Sequence, residues 1–149
     1  MSVHFLVPAG FAERPSGGNV YDRRVRAGLV GLGWDVVTHE VTSSSDVASV
    51  LPAVPDDALV LVDSLVASWA AVDLLAVAHR VRLVSLVHMA FESPGERELL
   101  AVSAAVVTTS AVSWSSSENR SASRSATHRA SASVEVFVPL NSSSSSRLR

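Results

Sequence analysis

Five apolar runs, each followed by a stretch with helical spacing or helix-end signals, constrain this chain more than any other feature. Residues 3–8, 34–40, 58–63, 82–88 and 104–109 read as strands. Between them, residues 19–32, 46–51, 66–79 and 94–103 read as helices. The third run, Ala58-Leu59-Val60-Leu61-Val62-Asp63, is apolar up to its last residue, as expected of a strand covered on both faces. Strands alternating with helices predict an α/β fold with a doubly wound parallel sheet. The composition is 48% hydrophobic but only 5% aromatic, so Val, Leu and Ala must fill the interior, which suits such a sheet.

A length of 149 residues gives one domain with room for a real core. The formal charge of −2 offers no basic surface for nucleic acid. All twelve basic residues are Arg, a trait we ascribe to a GC-rich coding sequence rather than to function. There is no Cys, hence neither a disulfide framework nor a thiol nucleophile. No apolar stretch reaches the roughly 18 residues of a spanning helix, and the first residues lack a signal-peptide pattern. The expected location is therefore the cytoplasm, with at most peripheral contact at the inner membrane face.

The stretch Arg14-Pro15-Ser16-Gly17-Gly18-Asn19-Val20-Tyr21-Asp22-Arg23-Arg24-Val25 lies between the first strand and the first helix. Tyr21, Val25, Leu29 and Leu32 share one helical face, and Gly33 follows as the C-cap. Asn19 with Asp22 forms a plausible N-cap pair, a weak variant of the capping box. Glycines on such a loop let a ligand phosphate approach the helix N-terminus, where unpaired N–H groups and the positive dipole end meet it. A tight turn that binds nothing is the competing reading. Gly28 and Gly31 lie inside the helix, either for close packing on the sheet or merely tolerated.

In doubly wound sheets ligands bind beyond the C-terminal strand ends. That rule gathers the Gly17-Gly18 loop, Asp63, His88 and Ser110 on one rim. From Ser113 onward, Ser, Arg and Ala dominate and helical periodicity vanishes. Residues 113–149 are thus expected to be a low-complexity tail too poor in apolar surface to order itself. One apolar island, residues 134–140, is either a sixth strand or a lone sticky patch.

The sequence Pro-Ser-Gly-Gly-Asn-x-Tyr-Asp-Arg-Arg-Val between strand and helix, followed by Gly-Trp-x-Val, resembles the N-terminal domain of bacterial family 4 glycosyltransferases, in particular the actinobacterial members. Leu61-Val62-Asp63-Ser64-Leu65, Val84-Ser85-Leu86-Val87-His88-Met89 and Val106-Val107-Thr108-Thr109-Ser110 agree in order. The likeness covers residues 1 to 112. It implies one half of a GT-B enzyme, in which two Rossmann-like domains face each other across a cleft. It also implies retaining transfer of a sugar from a nucleotide-sugar donor to an acceptor, without a cofactor or an essential metal.

Carried over residue by residue, the resemblance makes Gly17 and Gly18 the approach to the donor diphosphate and puts Ser110 beside them as a donor-binding residue. It makes His88 the catalytic histidine beside the transferred sugar. Asn19, Tyr21 and Asp63 become acceptor-side candidates. Each has a plainer alternative: a local hydrogen bond for His88, a helix N-cap for Ser110, a cap or turn for Asp63. Arg23 and Arg24 either attract an anionic acceptor or lipid surface or are simply solvated. His4, His39, His79 and His128 show no metal-ligand spacing. The family's second domain and the helix after the fifth strand have no counterpart here. Either a frameshift or a short reading frame completed by another chain accounts for that, so a catalytically inactive fragment or interaction domain is the alternative to an active transferase.

Overall fold

The computed structural model describes residues 1–89, 93–108 and 135–137. The elements run β1 (Ser2–Pro8), α1 (Gly17–Gly31), β2 (Asp35–Val41), α2 (Ser44–Val50), a 3₁₀ turn (Leu51–Ala53), β3 (Leu59–Asp63), α3 (Ser64–Val77), β4 (Arg82–Val87), α4 (Pro94–Val102), β5 (Ala105–Thr108) and β6 (Glu135–Phe137). The sheet order is β2-β1-β3-β4-β5-β6. The first five strands are parallel, and β6 pairs antiparallel with β5 through Val106↔Phe137 and Thr108↔Glu135. The fold is α/β, with a Rossmann-like, doubly wound parallel sheet. The apolar island thus contributes a sixth strand. The remaining expectations for residues 113–149, and Ser110, lie outside the described residues.

Strand alternation divides the core into two layers. Val3, Phe5, Val7, Leu61 and Leu86 point to the α1 side, where Val25, Leu29 and Trp34 pack on them. Leu6, Val60, Val62 and Leu83 point to the other side, against Val47 of α2, Val66, Ala70 and Leu74 of α3, and Leu99 of α4. The apolar character of β3 follows from this two-sided cover. Gly95 brings α4 onto α3, since a Cβ there would stand 3.1 Å from Ala71 Cβ.

The helix ends follow their local chemistry. Ser16, Ser43 and Ser93 accept the N–H groups of Asn19, Asp46 and Glu96, capping α1, α2 and α4. At the far end of α1, Gly33 N–H reaches Val30 O at 2.9 Å and Trp34 N–H reaches Leu29 O at 3.0 Å. With Gly33 at φ +82° this is a Schellman motif, so the cap itself is Leu32 and glycine follows it. Leu32, expected on the buried face, is 78% exposed for that reason. Gly28 and Gly31 have no atom within 4 Å of a built Cβ, so α1 tolerates them and needs neither for packing. Among the described residues no helix is long and apolar enough to cross a membrane.

Candidate functional site

The strand order reverses between β1 and β3, because β2 lies on one side of β1 and β3 on the other. Crevices at such a switch point are where open α/β sheets bind ligands. Here α1 begins directly above that point, and β3 and β4 end beside it.

Strand parity decides which side chains meet there. Along β3, Leu59 and Leu61 face the α1 layer, and Asp63 continues that series at the strand end. Along β4, Val84 and Leu86 face the same layer, and His88 continues it just past the last strand residue. From above, α1 brings down Asp22, its one fully buried residue. His88 Nε2 lies 2.9 Å from Asp22 Oδ1 and 3.3 Å from Asp63 Oδ2. Tyr21 sets its ring edge-on to the imidazole, 5.0 Å between centroids at 72°.

Asp63 has two roles that the sequence offered as alternatives. Its Oδ1 accepts the Leu65 N–H at 2.7 Å and caps α3, while its Oδ2 faces His88. Asp22 does not pair with Asn19 as a cap: Ser16 is the cap, with its Oγ 3.1 Å from Asn19 N. Asp22 turns inward instead. The available signal was its position next to Tyr21 on the apolar side of the helix, where a carboxylate calls for a partner from another element.

The two glycines were expected on the loop but form the first turn of α1. Their roles differ. A Cβ on Gly18 would stand 3.1 Å from His88 Cδ2, so glycine here makes room for the imidazole. A Cβ on Gly17 would meet nothing within 4 Å. The amides of Gly17 and Gly18 precede the first intrahelical bond, Val20 N–H to Ser16 O. Asn19 Nδ2 donates to Arg14 O, and Arg23 donates to Phe11 O and Ala12 O. Both side chains therefore hold the β1–α1 loop in shape. Arg24 instead joins Gly17, Gly18, Val20, Tyr21 and His88 around a pocket of about 320 Å³.

The electrostatics follow from burial and proximity. Burial alone would lower the His88 pKa, but the hydrogen bonds and charges of Asp22 and Asp63 outweigh it and lift it to about 9. Burial pushes Asp22 up to about 6, eased by the His88 hydrogen bond and reinforced by the Asp63 charge. Burial and the Asp22 charge also raise the Tyr21 hydroxyl. The two acidic side chains thus bias His88 toward its protonated form.

Asp22, Asp63 and His88 each offer a donor atom within 4.8 Å of the others, so they have the chemistry to hold a divalent cation. Such an ion would compete with the Nε2 proton for one place. A different histidine pair also meets: His4 Nδ1 lies 2.9 Å from His39 Nε2, with the rings stacked. Burial and the His4 charge lower the His39 pKa. A second cavity of about 350 Å³ lies on the opposite sheet face between α2 and α3, lined by Ala48, Leu51, Pro52, Ala76 and Val77 together with Asp73 and Arg80, whose guanidinium is taken up by Leu51 O, Val54 O and Asp56. It gathers no comparable set of reactive groups.

Gly17, Gly18, Asp63 and His88 thus lie together on one rim as expected, Tyr21 joins them against His88, Asn19 sits at the edge holding the loop, and Ser110 lies outside the described residues. No protein-family model, curated protein or solved structure matches this chain.

Proposed function

We propose that this chain is the N-terminal half of a retaining glycosyltransferase and binds the phosphate-bearing end of a nucleotide-sugar donor. The observation that carries this reading is the pocket at the switch point, which gathers Arg24, the first turn of α1 and the His88 imidazolium around one concavity. A diphosphate is the ligand that Arg24 and the α1 N-terminal amides complement, since both favour anions; the His88 charge is offset by Asp22 and Asp63, so His88 adds a hydrogen-bond donor rather than net charge. About 320 Å³ suits a phosphate with its sugar rather than a whole nucleotide. The nucleoside then belongs to a facing domain.

A histidine that keeps its proton to about pH 9 donates hydrogen bonds and does not act as a base at neutral pH. In this reading His88 donates to a sugar hydroxyl or to a phosphate oxygen as the glycosidic bond breaks. The acceptor enters from the Tyr21 side of the pocket.

An NMR titration of the labelled chain with UDP-glucose, GDP-mannose and inorganic pyrophosphate tests this. The expected result is millimolar binding, with shifts confined to Gly17, Gly18, Tyr21, Arg24 and His88. Weak binding is expected because a few net hydrogen bonds, about 1.5–3 kcal/mol each to a charged group, must offset roughly 4–15 kcal/mol of association entropy. Arg24→Ala should weaken binding about tenfold, the loss of one such bond. Shifts elsewhere on the surface, or none with any of the three probes, would remove the basis for the proposal.

A further inference from the structure

We propose that Asp22 and Asp63 are positioning residues that clamp the His88 ring with its Nε2–H turned inward, so that the remaining nitrogen, Nδ1, is the one left for a ligand. The clamp is a property of the free protein. Only its use by a ligand rests on the glycosyltransferase reading.

The geometry closes on the ring from three sides. Nε2 has both carboxylates within reach, at 2.9 and 3.3 Å. The Cδ2 edge backs onto Gly18, leaving no space for the ring to slide toward α1. Tyr21 stands edge-on against it. Nδ1 makes no hydrogen bond among the described residues. The His88 backbone is fixed as well, its N–H pointing to Ser64 Oγ at 3.4 Å.

Asp22 is costly where it stands. Its side chain has no exposure, and its Oδ2 has no hydrogen-bond partner among the described residues. A buried carboxylate oxygen left unpaired destabilises a fold. An apolar residue on this helix face would pack without that penalty. What Asp22 adds there, and an apolar residue would not, is its contact with the His88 proton and with the Asp63 carboxyl beside it. The charged and titratable groups facing that proton or lining the same pocket are Tyr21, Asp22 and Arg24 from α1 and Asp63 from the end of β3. The two carboxylates are in contact with it, so they set its behaviour. A donor fixed before the ligand arrives requires no reorganisation during bond breaking.

Long-range ¹⁵N–¹H NMR of the His88 ring in the ligand-free chain tests the clamp. Both ring nitrogens should carry protons at pH 7, and the titration midpoint should fall near pH 9. Asp22→Asn should lower that midpoint by about one to three pH units, the effect of removing an adjacent opposite charge. Because Asp22 is fully buried and its variant risks misfolding, Asp63→Asn is the second test. Asn retains the α3 cap, and the midpoint should still fall by about one pH unit. A neutral ring at pH 7, or a midpoint that neither variant moves, overturns the clamp. Pyrophosphate added to the wild-type chain should then shift Nδ1 more than Nε2. A clamp that titrates as expected while pyrophosphate moves neither nitrogen would overturn the proposed donor site and leave the clamp standing.

Discussion

Gly18 backs directly onto the His88 ring: a methyl group at position 18 would stand 3.1 Å from Cδ2 and 3.5 Å from Cγ. The contact joins the first turn of α1 to the end of β4, and glycine is what permits it. Gly17, one residue earlier, faces open space.

The paired glycines should therefore respond differently to substitution. Alanine gains up to about 1 kcal/mol of helix propensity at either position. At position 18 that gain meets an overpacking cost of about 1–3 kcal/mol, because the ring is held at Nε2 and has little room to yield. Urea denaturation should show Gly18→Ala less stable than Gly17→Ala by about 1–2 kcal/mol. Equal stabilities would mean that the imidazole moves freely.

Stability should fall as pH rises across the site's titrations. His88 holds its proton to about pH 9, above its ordinary 6.5. Its contribution is complete below pH 6.5 and lost as pH rises through 9. The loss is at most about 3 kcal/mol, reduced by the solvent that reaches the ring. Asp22 is also raised, to about 6 from 3.8, so the fold favours its protonated form. Its contribution is present below pH 3.8 and lost as pH rises through 6. Denaturant midpoints measured from pH 6 to 10 should decline for the wild-type chain and stay flatter for His88→Gln.

Arg80 ties the connection before β3 to the end of α3. Its guanidinium donates to Leu51 O at 2.8 Å and to Val54 O, and pairs with Asp56 at 2.9 Å. The Asp56 pair is exposed and contributes little. The two carbonyls matter more, since only a planar fork serves both at once. Arg80→Ala should destabilise by about 2–3 kcal/mol, and Arg80→Lys should recover less than half of that. Asp56→Ala should change stability by less than about 0.5 kcal/mol. Thermal melts of the three variants give the comparison.

The chain by itself should show no measurable sugar transfer or donor hydrolysis. Near-attack positioning contributes roughly 7–11 kcal/mol to such a barrier. A pocket of about 320 Å³ has room for only one end of a nucleotide-sugar. Product analysis after prolonged incubation with labelled UDP-glucose gives the answer. Turnover abolished by His88→Ala would show that one domain suffices.

Much of this was legible in the chain. The five apolar runs became five parallel strands, displaced by a residue or two at their ends. Helix starts were harder to read. Ser16 and Asn19 are both good caps three residues apart, and sequence spacing alone does not choose between them. The structure chooses Ser16, because a helix beginning at Gly17 turns Asp22 onto the sheet. Arg23 read as a surface cation for the same reason that any helical arginine does. Its carbonyl partners, Phe11 and Ala12, belong to a loop whose path no periodicity predicts.

The sequence by itself determined the layers. Apolar period and turn chemistry are local, and they are enough to make strands that must be covered on both faces. It also placed Asp63 and His88 at the same, C-terminal end of the sheet; that the two share a face follows from the register of β3 against β4. Only the tertiary structure decided that Asp22 would meet them. Asp22 and His88 are 66 residues apart in sequence, and their 2.9 Å contact depends on the rotation of α1 about its axis. That rotation is fixed by Val25 and Leu29 packing on the sheet and by the space left at Gly18. It is a property of the assembled core and is written in no single segment of the chain.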